Sequence, residues 1–414
     1  MKPPNITLEK IEFSIAFSII IAVYFIGINR VDFDKDETHW IAYSNRFEMF
    51  FRGDFKNSLW FTEWNRYTNP TITYYVIGVA RNLGGFGADK INIPYDFTQN
   101  MKANMAAGAI PSPALMWWSR AGVAFTSVIG LMIVFWLLIQ AFGRVSAYLW
   151  VGFISFNQYI RMTLRQAMNE GPMFCFVILT ILAVYFFLKT SDEGDLRQQW
   201  KKLLGWLVIA AFGVGFATQT KTNGGAALFG VILTLGFVLI RIRAGWLAKI
   251  AFAILSLFLL GCVSFLAFVL PNPTAWENPV RYSQNVIQAR FDMIQNQSDD
   301  DPSRVINSWS KRLEVVPQRI FVEYMEIPAI FPTFLFFLIG AITIARDIYL
   351  WLLHQNKADA LVALVTVGLL VSLPSLFTPL DWGRYYFLPV FFFAIPVMIG
   401  IQEFISLVLS KQKK

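Results

Sequence analysis

Histidine and cysteine are scarce, two of each in 414 residues. Both cysteines, Cys175 and Cys262, lie in apolar runs, where a buried free thiol acts as a small hydrophobe. Neither a disulfide framework nor a metal-type cysteine spacing can be built from them. His39 stands near Asp36 and Glu37, but one histidine with two neighbouring acids is weak ligand spacing, so no metal site is expected. Charged residues make up only 15% of the chain. There is no Gly-x-Ser-x-Gly, and the glycine pair in "GVGFATQTKTNGG" follows no strand, so a dinucleotide fingerprint fails its context. No internal repeat is visible, which argues against an inverted-repeat transporter.

What the chain has in quantity is apolar sequence, 56% of all residues. Ten runs approach the length of a bilayer-crossing helix, near 11–28, 120–142, 146–160, 172–188, 203–219, 224–240, 250–270, 328–345, 359–374 and 385–409. The expected fold class is an all-α polytopic membrane protein. The third and ninth runs are short. The first run lacks a small-residue cleavage site and is followed by acid, so it is read as an anchor and not a cleaved signal. A net charge of +8 would suggest nucleic acid in a soluble protein. Here Lys2, Lys10, Arg144, Lys189 through Lys202, Arg241 through Lys249, Arg346, Lys357 and the tail lysines fall on one side of a ten-span topology. That is the positive-inside pattern, and it places both termini in the cytoplasm. No nucleic-acid partner is expected.

Two long segments then face outward, 29–119 and 271–327. The first contains "RVDFDKDETHWI", with four carboxylates in six positions, followed by aromatic stretches that predict helices lying on the membrane surface. Trp60, Trp64, Tyr67, Tyr74 and Tyr75 fit that interface without a further role. The second outer segment predicts a turn-rich start, a solvated acidic loop at Asp299–Asp301 and an amphipathic helix from about Ser303. His354 falls on the inner side and is read as incidental.

The costly charges share the outer face. They are Asp36 and Glu37 after the first run; Arg161, Arg165 and Glu170 in "RMTLRQAMNEGP"; Lys221 in "ATQTKTNGG"; and Asp381 and Arg384 in "DWGRYYFLP". Ionisable groups at membrane depth are function candidates. Arg and Lys suit a phosphate through charge-assisted hydrogen bonds, and a carboxylate can take a proton from an attacking hydroxyl. Together they suit group transfer from a lipid-linked phosphate sugar. Plainer readings exist for each: Arg161 and Arg165 can snorkel to headgroups, Glu170 can pair with either of them, and Asp381 with Arg384 can be a local ion pair of little worth.

An ordered set of motifs carries a family resemblance: "KDETHW", "NPTITYYVIGVARNLGGFG", "WWSRAGVAFTSVIG", "RQAMNEGP", "QTKTNGG" and "GRYYFLP". In this order the chain resembles the GT-C superfamily of polyprenyl-phosphate-sugar-dependent glycosyltransferases, in the branch of the protein O-mannosyltransferases and the lipid A aminoarabinose transferase. The resemblance covers residues 11 to 230 and one motif in the 380s. It implies a GT-C-like bundle with surface helices in the first outer segment, in the cell envelope. It also implies single-displacement inversion without a covalent sugar–enzyme intermediate. No cofactor is expected from the sequence, which leaves a divalent cation open without indicating one. By position, Asp36 would be the catalytic base, Glu37 would shape the sugar or acceptor pocket, and Glu170 would be a second acid there. Arg165, Lys221 and Arg384, with Arg161 as helper, would hold the donor phosphate; His39, Asn69 and Tyr385 would contact acceptor or sugar. Asn69-Pro70 stands where the family commonly has His-Pro, and Glu170 where Asp is common. The sequence ends soon after the last run, so no large soluble C-terminal domain is expected.

The expected organisation is a catalytic transmembrane module over 1–270, an acceptor or lid region over 271–327, and C-terminal transmembrane helices over 328–414. The function expected is hexosyl or pentosyl transfer from a polyprenyl-phosphate sugar to an acceptor hydroxyl on the outer face of a prokaryotic plasma membrane. A transporter or flippase of an anionic lipid or sugar, and a non-catalytic scaffold subunit, are the alternatives.

Overall fold

The computed structural model describes residues 6–192, 194–326 and 330–411. Among them the chain is helical, with no strand beyond one antiparallel bridge between Val305 and Leu380. Helix α1 (Ile6–Phe25) leads into five shorter ones: α2 (Lys35–Ala42), α3 (Arg46–Phe51), α4 (Glu63–Thr68), α5 (Ile72–Leu83) and α6 (Met101–Ala106). Next come α7 (Pro113–Phe142), α8 (Arg144–Phe156), α9 (Gln158–Thr163), α10 (Glu170–Asp192), α11 (Leu196–Thr220), α12 (Ala227–Arg241) and α13 (Trp246–Val269). The second outer segment holds α14 (Pro279–Asp300) and α15 (Trp309–Gln318), and the chain closes with α16 (Ile330–Leu352), α17 (Asp359–Phe377) and α18 (Phe387–Lys411).

Among the described residues, each of the ten apolar runs is mostly helical; the first two residues of the run 328–345 lie outside them. Among the described residues, eight helices are long and apolar enough to cross a bilayer: α7, α10, α11, α12 with the turn before it, α13, α16, α17, and α18 with the turn before it. The first run is preceded by Glu9 and Lys10 and interrupted at its start by Glu12, so α1 has an uninterrupted apolar stretch only from Phe13. The third run breaks at Asn157, leaving α8 with 13 residues. At 1.5 Å per residue that is about 20 Å, short of a hydrocarbon core of about 30 Å.

One continuous core threads the bundle, with Phe135, Trp150, Phe174, Phe187, Trp351 and Phe391 fully or almost fully buried. Close backbone approach needs glycine between α16 and α18. A Cβ on Gly340 would collide with the Pro396 carbonyl, and one on Gly400 with that of Phe336. Small residues at such crossings are how helices pack where solvent supplies no hydrophobic drive. Cys175 is buried as expected, but Cys262 is exposed on α13, whose outward face is largely apolar.

At one end of the bundle, a second cluster built on Trp40, Ile41, Tyr74, Ile77, Leu115 and Met116 seats α2 and α5 against α7. A third, with Phe268, Val269, Tyr282 and Val286, seats α14 against the end of α13. Buried arginines staple the first outer segment. Arg81 donates to Glu48 (2.6 Å), the Ser44 hydroxyl and the Phe86 carbonyl. Arg46 lies against the rings of Tyr43, Trp60 and Tyr74 and donates to the Leu59 carbonyl.

At the opposite end, Arg241 pairs with Asp192, reaches His354 Nδ1 at 3.2 Å and sits 3.8 Å over the Trp351 ring. His354 thus joins a structural cluster that stitches α10, α12 and α16 together.

The second outer segment departs from expectation. Asp299 and Asp300 end a 22-residue helix and are not a loop. Its start follows a readable rule: Asn278 caps the helix, accepting from the Arg281 N–H, and Pro279 takes the first helical position.

Candidate active site

Helix α2 is opened by a capping box. The Asp34 carboxylate accepts from the Asp36 N–H (2.8 Å), and Glu37 accepts from the Asp34 N–H (3.2 Å). Burial holds the Asp34 carboxyl above its ordinary range, and the neighbouring Asp36 charge adds to that. Consecutive helical residues point about 100° apart, so Asp36 and Glu37 face different surroundings.

Glu37 is fully buried and turns away from any cavity. It accepts both arms of Arg120 (Nε to Oε1 2.8 Å, Nη2 to Oε2 2.6 Å) and the Ala167 N–H at 2.7 Å. Arg120 spends its remaining donors on the carbonyls of Ile28, Val31 and Asp32. All of the Glu37 acceptor capacity is thereby used in tying the segment after α1, helix α2, helix α7 and the stretch before α10 together. A pocket-lining role for Glu37 is not what its placement supports.

Asp36 faces the other way, into a cavity of about 150 Å³ lined also by His39, Trp40, Thr68, Asn69, Asn169, Lys221, Arg290 and Arg384, with Tyr385, Phe97, Met293 and Gln297. Arg384 pairs with Asp36 at 2.5 Å and lies 5.0 Å over the Trp382 ring. Lys221, at the end of α11, is mostly buried and pairs with Glu170 at 2.7 Å, with its ammonium 5.5 Å from the centre of the Tyr385 ring. Glu170, at the start of α10, stands behind Lys221 and does not line the cavity. It positions the lysine. Arg290, delivered by α14, reaches the Tyr385 hydroxyl at 3.5 Å. Asn69 and His39 meet at 3.0 Å on the cavity wall.

The structure therefore gathers Asp36, His39, Asn69, Lys221, Arg384 and Tyr385 around one space, with Glu170 directly behind. Two residues expected there are elsewhere. Arg161 and Arg165 line a separate concavity with Arg30. They follow the break at Asn157, which turns α9 so that both point toward the end of α1. Arg165 donates to the Ile26 carbonyl at 2.6 Å and is 93% buried, so it does not snorkel. Neither pairs with Glu170. Asp381 is likewise not the partner of Arg384; it takes two guanidinium arms of Arg319 and the Tyr386 hydroxyl. Among the described residues no group of three His, Cys, Asp or Glu side chains converges as metal ligands do.

Arg290, Asn169, Thr68 and Gln297 are cavity residues that the motif reading missed. Arg290 was within reach, because the Asn278-Pro279 helix start sets its register. In charge the cavity holds three cations, Lys221, Arg290 and Arg384, against Asp36 on the wall and Glu170 behind it. The space favours an anion.

Residues 90–274 match the family model of the dolichyl-phosphate-mannose-protein mannosyltransferases. Among solved structures, the chain is similar to the Archaeoglobus fulgidus oligosaccharyltransferase in the apo form, at 14% identity and a TM-score of 0.52, over 97% of this chain and 51% of that one. The same protein tethered to an acceptor peptide matches at 12% identity and a TM-score of 0.51, over 97% and 50%. ArnT from Cupriavidus metallidurans bound to undecaprenyl phosphate matches at 15% identity and a TM-score of 0.44, over 94% and 59%. The chain spans about half the length of the archaeal protein. No curated protein matches it. What the two archaeal oligosaccharyltransferase structures share with this chain is the fold, a helical bundle. The resemblance to GT-C glycosyltransferases carried by the motifs is borne out.

Proposed function

We propose that this chain is an integral-membrane, inverting glycosyltransferase that moves a monosaccharide from a polyprenyl-phosphate donor to an acceptor hydroxyl on the outer membrane face. The observation that carries the reading is the cavity itself: one carboxylate, Asp36, facing three cations at the end of a GT-C-type bundle. The family-model match over 90–274 supports it.

In this reading Lys221, Arg290 and Arg384 hold the donor phosphate. Asp36 accepts the proton of the acceptor hydroxyl as that oxygen forms its bond to the anomeric carbon. The anomeric carbon–phosphate oxygen bond breaks in the same displacement, and its electron pair leaves on the polyprenyl phosphate. The cations stabilise the charge that develops there, which is where preorganised electrostatics contribute most. The Asp36–Arg384 pair keeps the guanidinium aimed at the cavity. Glu170 fixes Lys221, while His39, Asn69 and Tyr385 line the space left for sugar or acceptor. Helix α14, beyond Arg290, adds Met293 and Gln297 to the wall of the space left for the acceptor.

The test is label transfer. Purified chain in nanodiscs is given polyprenyl-phosphate sugars carrying a radiolabelled monosaccharide, together with an envelope extract. Movement of label from lipid to an extract component supports the reading. Transport of donor across liposomes with no chemical change would replace it with a flippase.

A further inference from the structure

The concavity that holds Arg161 and Arg165 has a composition the transfer reading does not use. It measures about 400 Å³, and its lining includes Ile26, Gly27, Arg30, Asp32, Arg161 and Arg165. It shares no lining residue with the Asp36 cavity. Among the described residues none of the three arginines forms an ion pair. Asp32, the one carboxylate on the rim, is exposed, so the concavity carries an excess of two positive charges.

Arg165 makes the point sharper. It is 93% buried, one arm is spent on the Ile26 carbonyl, and its Nε–H has no partner among the described residues. A buried donor left unsatisfied costs free energy, more so on a charged group. Burial, and after it the adjacent Arg161, also depress the Arg165 pKa, which registers the cost of holding these charges together. Gly27, with φ of +68°, lies in this wall, and a Cβ there would stand in ordinary contact, 3.8 Å, with Arg165 Nη2 and the Arg30 side chain.

We propose that this three-arginine concavity is a second anion site, built for a phosphate group carried on a lipid headgroup at the membrane surface or free in solution. A lone carboxylate is satisfied by one guanidinium, whereas three guanidinium groups around one space, even with one arm of Arg165 on the Ile26 carbonyl, leave donors for the several oxygens of a phosphate. Exposed Ile26 at the rim, next to the apolar end of α1, suits a headgroup whose tail continues along the helix. The site is independent of the transfer reading, and its failure leaves that reading untouched.

The experiment uses the full chain in dodecyl maltoside with two probes, dioctanoyl phosphatidic acid and inorganic phosphate, titrated by phosphorus-31 NMR. All titrations are made in a Lys221→Gln background, so that binding in the Asp36 cavity is weakened from the start. Adding Arg161→Gln with Arg165→Gln is expected to weaken binding of at least one probe tenfold or more. Arg30→Gln with Arg161→Gln, which leaves the Arg165–Ile26 bond intact, is expected to do the same and guards against misfolding. Equal loss for both probes assigns the site to phosphate itself; loss for the phosphatidic acid alone assigns it to a lipid headgroup. Absence of binding in the background protein, or binding that neither pair of substitutions changes, overturns the proposal.

Discussion

Glu37 and Arg120 form a bidentate, buried ion pair, 83 residues apart in sequence, at 2.6 and 2.8 Å. Asp36, one residue away, faces a cavity instead. Adjacent acids thus have separable tasks, one holding the outer segment in place and the other available to chemistry.

That separation is measurable in stability. Glu37→Gln leaves the Arg120 charge buried without its counter-ion, and breaking such a pair costs about 3–5 kcal/mol. A correspondingly lower Tm is expected for Glu37→Gln in detergent, with partial recovery in Glu37→Gln/Arg120→Met, where no charge is left stranded. Asp36→Asn, at a half-buried site, should leave Tm close to wild type.

Gly27 turns the chain out of α1 so that the Ile26 and Ile28 carbonyls meet Arg165 and Arg120. Its left-handed φ of +68° penalises any L side chain by roughly 1–2 kcal/mol. Gly27→Ala should lose about that much stability in chemical denaturation, with the fold retained; an unchanged midpoint would show that the turn relaxes.

Asp34 supplies the pH dependence. Its folded pKa is raised by burial, so the folded state holds the neutral form more tightly than the unfolded chain does. The associated stability is full below the ordinary aspartate pKa of about 3.9 and is lost as pH rises through the raised folded value. Asp34→Asn keeps the cap, since asparagine caps as well as aspartate, and never acquires the charge. It should therefore match or exceed wild-type stability at pH 7, and a clear loss would assign the carboxylate charge a favourable partner.

Lys221 and Glu170 should differ in kind. In the proposed reading Lys221→Gln would remove a charge-assisted hydrogen bond to the donor phosphate, worth about 1.5–3 kcal/mol, and should weaken donor binding about 10- to 150-fold. Glu170→Gln keeps the lysine charge but loosens its aim, so a smaller defect is expected, restored in part by Glu170→Asp. Equal defects would place Glu170 on the substrate itself.

Much of this was legible in the sequence, for identifiable reasons. Long apolar runs fix α10 through α13, and the positions of Asp36, Glu170, Lys221 and Arg384 at the ends of such runs put them at one end of the bundle. Side-chain direction was not legible. "DE" gives no sign that Asp36 turns to the cavity and Glu37 to Arg120, because that depends on where α7 delivers its arginine. Arg161 and Arg165 sit in the same motif as Glu170, yet the break at Asn157 turns them toward α1. Helix α14 hides in polar sequence, and with it Arg290.

The central claim is that Asp36 acts as the base in a cavity whose cations hold the donor. The most direct measurement compares wild type and Asp36→Asn for two quantities in the same nanodiscs: donor binding, and transfer of labelled sugar. The account predicts near-wild-type donor binding with transfer reduced by about 10²- to 10⁴-fold, the range of general base catalysis. Transfer by Asp36→Asn within a few fold of wild type, in folded protein, would contradict it.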